Sequence, residues 1–153
     1  MSTRAVVIQP GQAERAALRT SYVDNLMTGK ESKFSSLFEF YAAPGFDTGA
    51  HYHTRIEEFF YVVEGEFNLR AGDREFGAGP GTFVFVPPPV PHYIANRGTK
   101  GARVLIGCSP PGHEAYFAEL SALLAKPGPP DTEAVAALRK KYDTIQLSGM
   151  HSK

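Results

Sequence analysis

With 153 residues, the chain is long enough for one domain with a substantial core and too short for two ordinary ones. Its 16 Lys and Arg balance 16 Asp and Glu, and no basic stripe forms, which argues against nucleic acid or an anionic membrane as the main partner. Fifteen Gly, 12 Pro, 11 Phe and 7 Tyr, with no Trp, fit a domain of short strands and many turns packed by Phe and Tyr.

Residues 6–8 could form a short strand before Pro10-Gly11. Residues 13–19 have helical composition and residues 20–33 are mixed and polar, so residues 1–33 read as an N-terminal arm or cover segment. The first strong strand pattern covers residues 34–41 and ends at Ala43-Pro44-Gly45. Residues 51–53 are extended, residues 54–57 connect, and residues 58–63 form a buried strand. Gly65-Glu66 turns the chain into residues 67–70, Ala71-Gly72-Asp73 turns it again, and residues 74–76 lead to a Gly-rich turn ending at Gly81.

Residues 82–86 are another buried strand. Pro87-Pro88-Pro89-Val90-Pro91 is expected to be extended, because proline fixes φ and disfavours helix in the residue before it. Residues 92–95 resume the sheet, Asn96-Arg97-Gly98 turns, and residues 103–108 make the last core strand. After Ser109-Pro110-Pro111-Gly112 the period changes. Tyr116, Phe117, Leu120, Leu123 and Leu124 mark a helix over residues 114–125 with one apolar face. Asp131-Thr132 then offers caps for a helix over residues 133–142, which ends in Arg139-Lys140-Lys141, where positive charge complements the helix dipole. The fold class is all-β, a closed antiparallel barrel or jelly roll. Residues 34–109 form the barrel, and residues 110–153 pack two C-terminal helices and a tail on it, as a single domain overall.

The chemistry concentrates at His51, His53, Glu58 and His92. Side chains alternate along a strand, so His51 and His53 share a face, as do Glu58, Phe60 and Val62 on the next extended run. Glu57 has the opposite parity and points away. Closing ligands from such separate positions requires a sheet that curves around the ion. Three imidazoles and one carboxylate make a ligand set for a divalent transition metal, with iron, nickel, zinc, manganese or copper as candidates. Such a set leaves coordination positions open for chemistry.

Two frames hold these residues. In the first, Gly45 is followed after five residues by His51-Tyr52-His53, after four more by Glu58, and after six more by Gly65. In the second, Gly81 is followed after five residues by Pro87 and then by His92 and Asn96. At these residues the chain resembles the cupin superfamily over residues 34–109. It departs at Pro89, where that family usually has glycine. The resemblance implies a small jelly-roll β-barrel, His51, His53, Glu58 and His92 as metal ligands, and a homodimer, which the N-terminal segment could join by pairing with a neighbouring subunit. Within the superfamily, the stretches around residues 57–66 and 79–87 and the two C-terminal helices look most like single-domain quercetin-dioxygenase-like cupins, a group that includes aromatic polyketide tailoring proteins.

Phe38, Phe40, Phe60, Phe85, Ile94 and Ile106, with Val62, are the candidate substrate-pocket residues, an apolar lining for a small, mostly hydrophobic molecule. The leading expectation is a dioxygenase joining O₂ to a small aromatic or enol-type substrate, flavonol-like or polyketide-like, with Glu58 as ligand and catalytic proton acceptor. The alternatives are a non-redox polyketide cyclase or isomerase, and a binding module without turnover. Cys108 is the single cysteine, which leaves no intrachain disulfide and is read as a small buried hydrophobe. The apolar run near the N-terminus is shorter than a signal-peptide core, and no stretch is long enough to span a bilayer, so a cytoplasmic protein is expected.

Overall fold

The structure, a computed structural model, describes residues 4–152. The parts of the arm and tail expectations that fall on residues 1–3 and 153 lie outside the described residues. Among the described residues, 11 strands and two helices follow one another as β1 Glu14–Leu18, β2 Ser21–Met27, β3 Ser36–Ala42, β4 His51–Tyr52, β5 Glu57–Glu64, β6 Phe67–Ala71, β7 Arg74–Ala78, β8 Phe83–Val86, β9 His92–Ala95, β10 Ala102–Ser109, α1 His113–Leu124, α2 Thr132–Lys141 and β11 Ile145–Gln146. They form two antiparallel sheets, one in the order β1-β2-β3-β10-β5-β8 and the other β11-β4-β9-β6-β7. This is the expected jelly roll, built as two sheets that are not joined into a closed barrel.

Strand parity builds the core between them. In the larger sheet, Phe38 and Phe40 of β3, Phe60 and Val62 of β5, Val84 and Val86 of β8, and Val104 and Ile106 of β10 all turn inward. Phe67, Leu69 and Ile94 meet them from the smaller sheet. The register pairs Phe60 with Val84 and Phe59 with Phe85, which puts Phe59 and Phe85 on the outer face. Phe85 is accordingly 50% exposed, and its assignment to the pocket is corrected. Both valines of β8 lie within the hydrophobic alternation, and the two parities of Phe-Val-Phe-Val look alike until a partner strand chooses between them.

Three local expectations also change. Residues 13–19 are strand rather than helix, and residues 14–27 form a hairpin that continues the larger sheet. Ala16, Leu18, Ser21 and Val23 are buried in a period of two, and packing on β3 overrides helical composition. The Arg15 guanidinium grips the Asp24 carboxylate across the hairpin at 2.7 and 2.8 Å. Residues 6–8 belong to no strand and their side chains stand exposed. The proline run turns instead of extending: Val90, its one residue with a backbone N–H, donates to the Pro87 carbonyl at 3.0 Å. That turn delivers His92 to the first position of β9.

The two helices close one end of the sandwich. Tyr116, Phe117, Leu120 and Leu124 of α1 are buried, with Phe117 packed edge-on against Phe38 at 5.0 Å between ring centroids. The Asp131 side chain caps α2 by accepting from the Ala134 N–H at 3.0 Å. No described helix is long and apolar enough to cross a membrane.

Gly107 in β10 lies directly beneath the Phe59 ring, so a methyl group there would collide with that ring. Gly107→Ala is expected to lower unfolding free energy by about 1–3 kcal/mol, as overpacking does. Chemical denaturation would show it, and Phe59→Ala in the same chain should make the added methyl nearly neutral.

Candidate metal centre

Three strands bring four buried side chains together. His51 lies on β4, His53 just beyond it, Glu58 on β5 and His92 at the start of β9. One ligand atom from each lies within 4.8 Å of all the others. The His51–Tyr52–His53 alternation turns both imidazoles inward, and β4 pairs His51 with His92 across the ladder. Glu58 is buried where Glu57 is exposed.

Backbone carbonyls set the orientation of every ring. His51 Nδ1 donates to the Gly49 carbonyl at 2.8 Å, His53 Nδ1 to that of Asp143 at 2.9 Å, and His92 Nδ1 to that of Val90 at 3.0 Å. A carbonyl only accepts, so each neutral ring keeps its proton on Nδ1 and its lone pair on Nε2. Glu58 Oε2 nevertheless lies 3.1 Å from His53 Nε2 and 2.8 Å from His92 Nε2. Both rings thus face an acceptor on each side, and a neutral imidazole has one N–H to give. Either a second proton or a cation must lie between the nitrogens and the carboxylate. Three Nε2 lone pairs and one carboxylate fit a divalent transition metal ion.

The protonation equilibria show the same competition. Burial pushes the Glu58 carboxyl up, but hydrogen bonds and charge attraction from His53 and His92 outweigh it and hold the group well below the usual range. Burial lowers His53, yet the hydrogen bond and charge of Glu58 leave it raised. His51 has no such contact, and burial followed by repulsion from His92 depresses it strongly.

The centre borders a largely apolar cavity of ≈ 50 Å³. Of the residues expected to line it, Phe40, Phe60, Ile94 and Ile106 do so. Phe38 and Val62 belong to the surrounding core, and Phe85 faces outward. A phenol at the wall comes from Tyr116. The C-terminal segment contributes His113, Tyr116, Phe117, Leu120, Arg139, Thr144 and Met150.

Arg139 stands in the last turn of α2 as expected, but it does more than complement the helix dipole. Its side chain is only 1% exposed, on the same face of α2 as Val135 and Leu138. That i, i+3, i+4 spacing is the signal in the sequence that marks it as inward. His113 is legible in the same way, three and four residues before Tyr116 and Phe117. The end of α2 also braces the metal centre. Asp143 lends its carbonyl to His53, while its carboxylate accepts from the backbone N–H groups of Thr54 and Arg55.

Comparison with known proteins agrees with this architecture. Residues 38–107 match the family model described as Cupin domain. The chain is 33% identical over 110 residues to the tetracenomycin polyketide synthase protein TcmJ of Streptomyces glaucescens, covering 72% of this chain and 69% of that one. It is 32% identical over 80 residues to the uncharacterized protein MJ1618 of Methanocaldococcus jannaschii, covering 52% of this chain and 64% of that protein's length. Among solved structures, the polyketide cyclase RemF of Streptomyces resistomycificus superimposes with a TM-score of 0.62 at 23% identity, covering 69% of this chain and 80% of RemF, a likeness of fold.

Burial lowers His113 from 6.5 to about 4. Between those values the unfolded chain binds the proton and the folded chain does not, so stability rises with pH there. The contribution is complete above the unfolded value and lost as pH falls toward the folded one, on the order of 3 kcal/mol in all. Urea unfolding of metal-free protein at pH 7 and pH 4.5 should show this loss, and His113→Phe should reduce it.

Proposed function

This chain belongs to the cupin superfamily, and from that premise we propose that it is a metal-dependent enzyme acting on a small enolisable, polyketide-like substrate, by non-redox cyclisation or isomerisation. The observation that carries the reading is the convergence of His51, His53, Glu58 and His92 at the wall of an apolar cavity. These four residues would hold the ion through the three Nε2 atoms and the Glu58 carboxylate. A divalent ion bound there supplies Lewis acidity toward a carbonyl or enol oxygen, or O₂ chemistry if it is a redox-active iron, copper, nickel or manganese.

The chain's own residues supply the rest. The aromatic and aliphatic walls from Phe40, Phe60, Ile94, Ile106 and Phe117 hold an apolar body and exclude water. Glu58 is the acidic residue at this wall, and its carboxylate would take a proton from a substrate hydroxyl or α-carbon. Residues alone place oxygenase and cyclase chemistry close together. The Streptomyces relative, named as a polyketide synthase protein, supports the cyclase order.

Protein purified without added metal is expected to carry about one divalent ion per chain, as an open catalytic site requires. Elemental analysis should find it lost in Glu58→Ala and His51→Ala and retained in Glu57→Ala. Loss from Glu57→Ala with Glu58 intact would overturn the ligand assignment. Turnover of a β-polyketone should proceed without O₂ uptake and fall by at least about 100-fold in Glu58→Ala, the scale of a lost acid–base group. Stoichiometric O₂ consumption would replace cyclisation with oxygenation, and turnover surviving complete metal removal would exclude both. A retained aromatic ligand with no turnover would favour the binding module.

A further inference from the structure

Arg139 presents a specific physical problem. A guanidinium stays charged in a protein, and burying an unpaired charge is costly. Burial lowers its pKa, as it must when solvent is withdrawn. Among the described residues, no carboxylate lies within ion-pair distance of it, although Arg15, Arg97 and Arg103 all have such partners. Its one hydrogen bond runs from Nη1 to Gln146 Oε1, at 3.1 Å. Nε is buried without a partner.

The edge left over is informative. With Nη1 committed to Gln146, the free edge is the one formed by Nε and Nη2. That pair is the fork that takes a planar carboxylate side-on. This chain uses the same edge on its surface, where Arg15 Nε and Nη2 hold the two oxygens of Asp24 at 2.7 and 2.8 Å. Arg139 belongs to the cavity lining, and among the described residues no carboxylate fills its fork. A second buried polar atom without a partner, His113 Nδ1, belongs to the same lining. The single acidic residue among the lining, Glu58, is already shared between His53 and His92.

We propose that Arg139 is a substrate-binding and specificity-determining residue, and that the cavity takes an anionic ligand: a small apolar body bearing a carboxylate, or an equivalent ionised oxygen, seated on the Nε–Nη2 edge. The inference rests on the preceding reading only in making this cavity the substrate site. His113 Nδ1 provides a further hydrogen bond to the same ligand. The arrangement orients the substrate: its anion is held by α2, and its reacting end is turned toward the wall that carries His51 and Glu58. It also selects, since a neutral analogue leaves the guanidinium desolvated and unpaired.

Calorimetry with acetate and isobutyrate, each against its neutral amide, tests this on full-length protein in metal-free and zinc-loaded forms. The carboxylates are expected to bind at least about tenfold more tightly than the amides, and Arg139→Met should abolish that preference. Arg139→Met without ligand should unfold at the same or higher temperature, because replacing a buried charge with a fitting apolar side chain is often neutral or stabilising. A structural arginine would instead lose stability. Equal binding of acid and amide by the wild type overturns the proposal, whether or not any variant folds. Carboxylate binding that disappears with zinc but survives Arg139→Met also overturns it, by placing the anion on the metal. Arg139-dependent binding in metal-free protein sustains it even if the metal-dependent reaction fails.

Discussion

Glu58 is the constraint around which the molecule is organised. A carboxylate this deeply buried is tolerated only where other groups replace the water it has lost. Here the replacements are His53 and His92, both on the far side of the inter-sheet space, so one oxygen ties β5 of the larger sheet to the smaller one. The three rings cannot swing away to relax the crowding, because carbonyls of Gly49, Val90 and Asp143 hold their outer nitrogens. The outcome is a rigid set of donors whose unmet need is a positive charge. Preorganisation of this kind lets a site bind a metal ion without first paying to assemble its ligands.

The C-terminal segment gives the metal centre its surroundings. Asp143 anchors His53 and the 54–55 turn, β11 pairs with β4 and extends the sheet beside His51, and α2 brings Arg139 to the cavity. The larger sheet and the first turn of α1 meet at Glu114, whose carboxylate accepts from the Gly29 N–H and the Ser36 hydroxyl. The helices therefore are part of the site as well as its cover. They supply its aromatic wall and a second centre of positive charge beside the metal ligands. An apolar wall excludes water and a fixed charge orients what lies beside it, and the C-terminal segment carries both.

Some features were legible in the sequence because they are local. The strand alternation of His51 and His53, the parity that separates Glu58 from Glu57, the turn glycines and the apolar face of α1 are properties of short stretches of chain. The hairpin of residues 14–27 leaves no local signature, because its composition is tolerated in either helix or strand and only docking on β3 decides the matter. Phe85 was misplaced for a related reason: in Phe-Val-Phe-Val both faces are apolar, and the pairing of Phe59 with Phe85 is set by the neighbouring strand.

Spacing along a strand or helix dictates which side chains share a face, so the candidate ligand set His51, His53, Glu58 and His92, the all-β class and the two terminal helices are legible in the sequence alone. The tertiary structure alone decided that the sheets remain open, which aromatics line the cavity, and that Arg139 enters it. Arg139 lies far from His51 along the chain, and the approach of α2 to the sheets depends on the summed packing of Val135, Leu138 and the residues of α1 and β1. No period within a single element encodes that long-range contact. Its consequence, a buried guanidinium beside the candidate metal ligands, exists only once the chain has closed on itself.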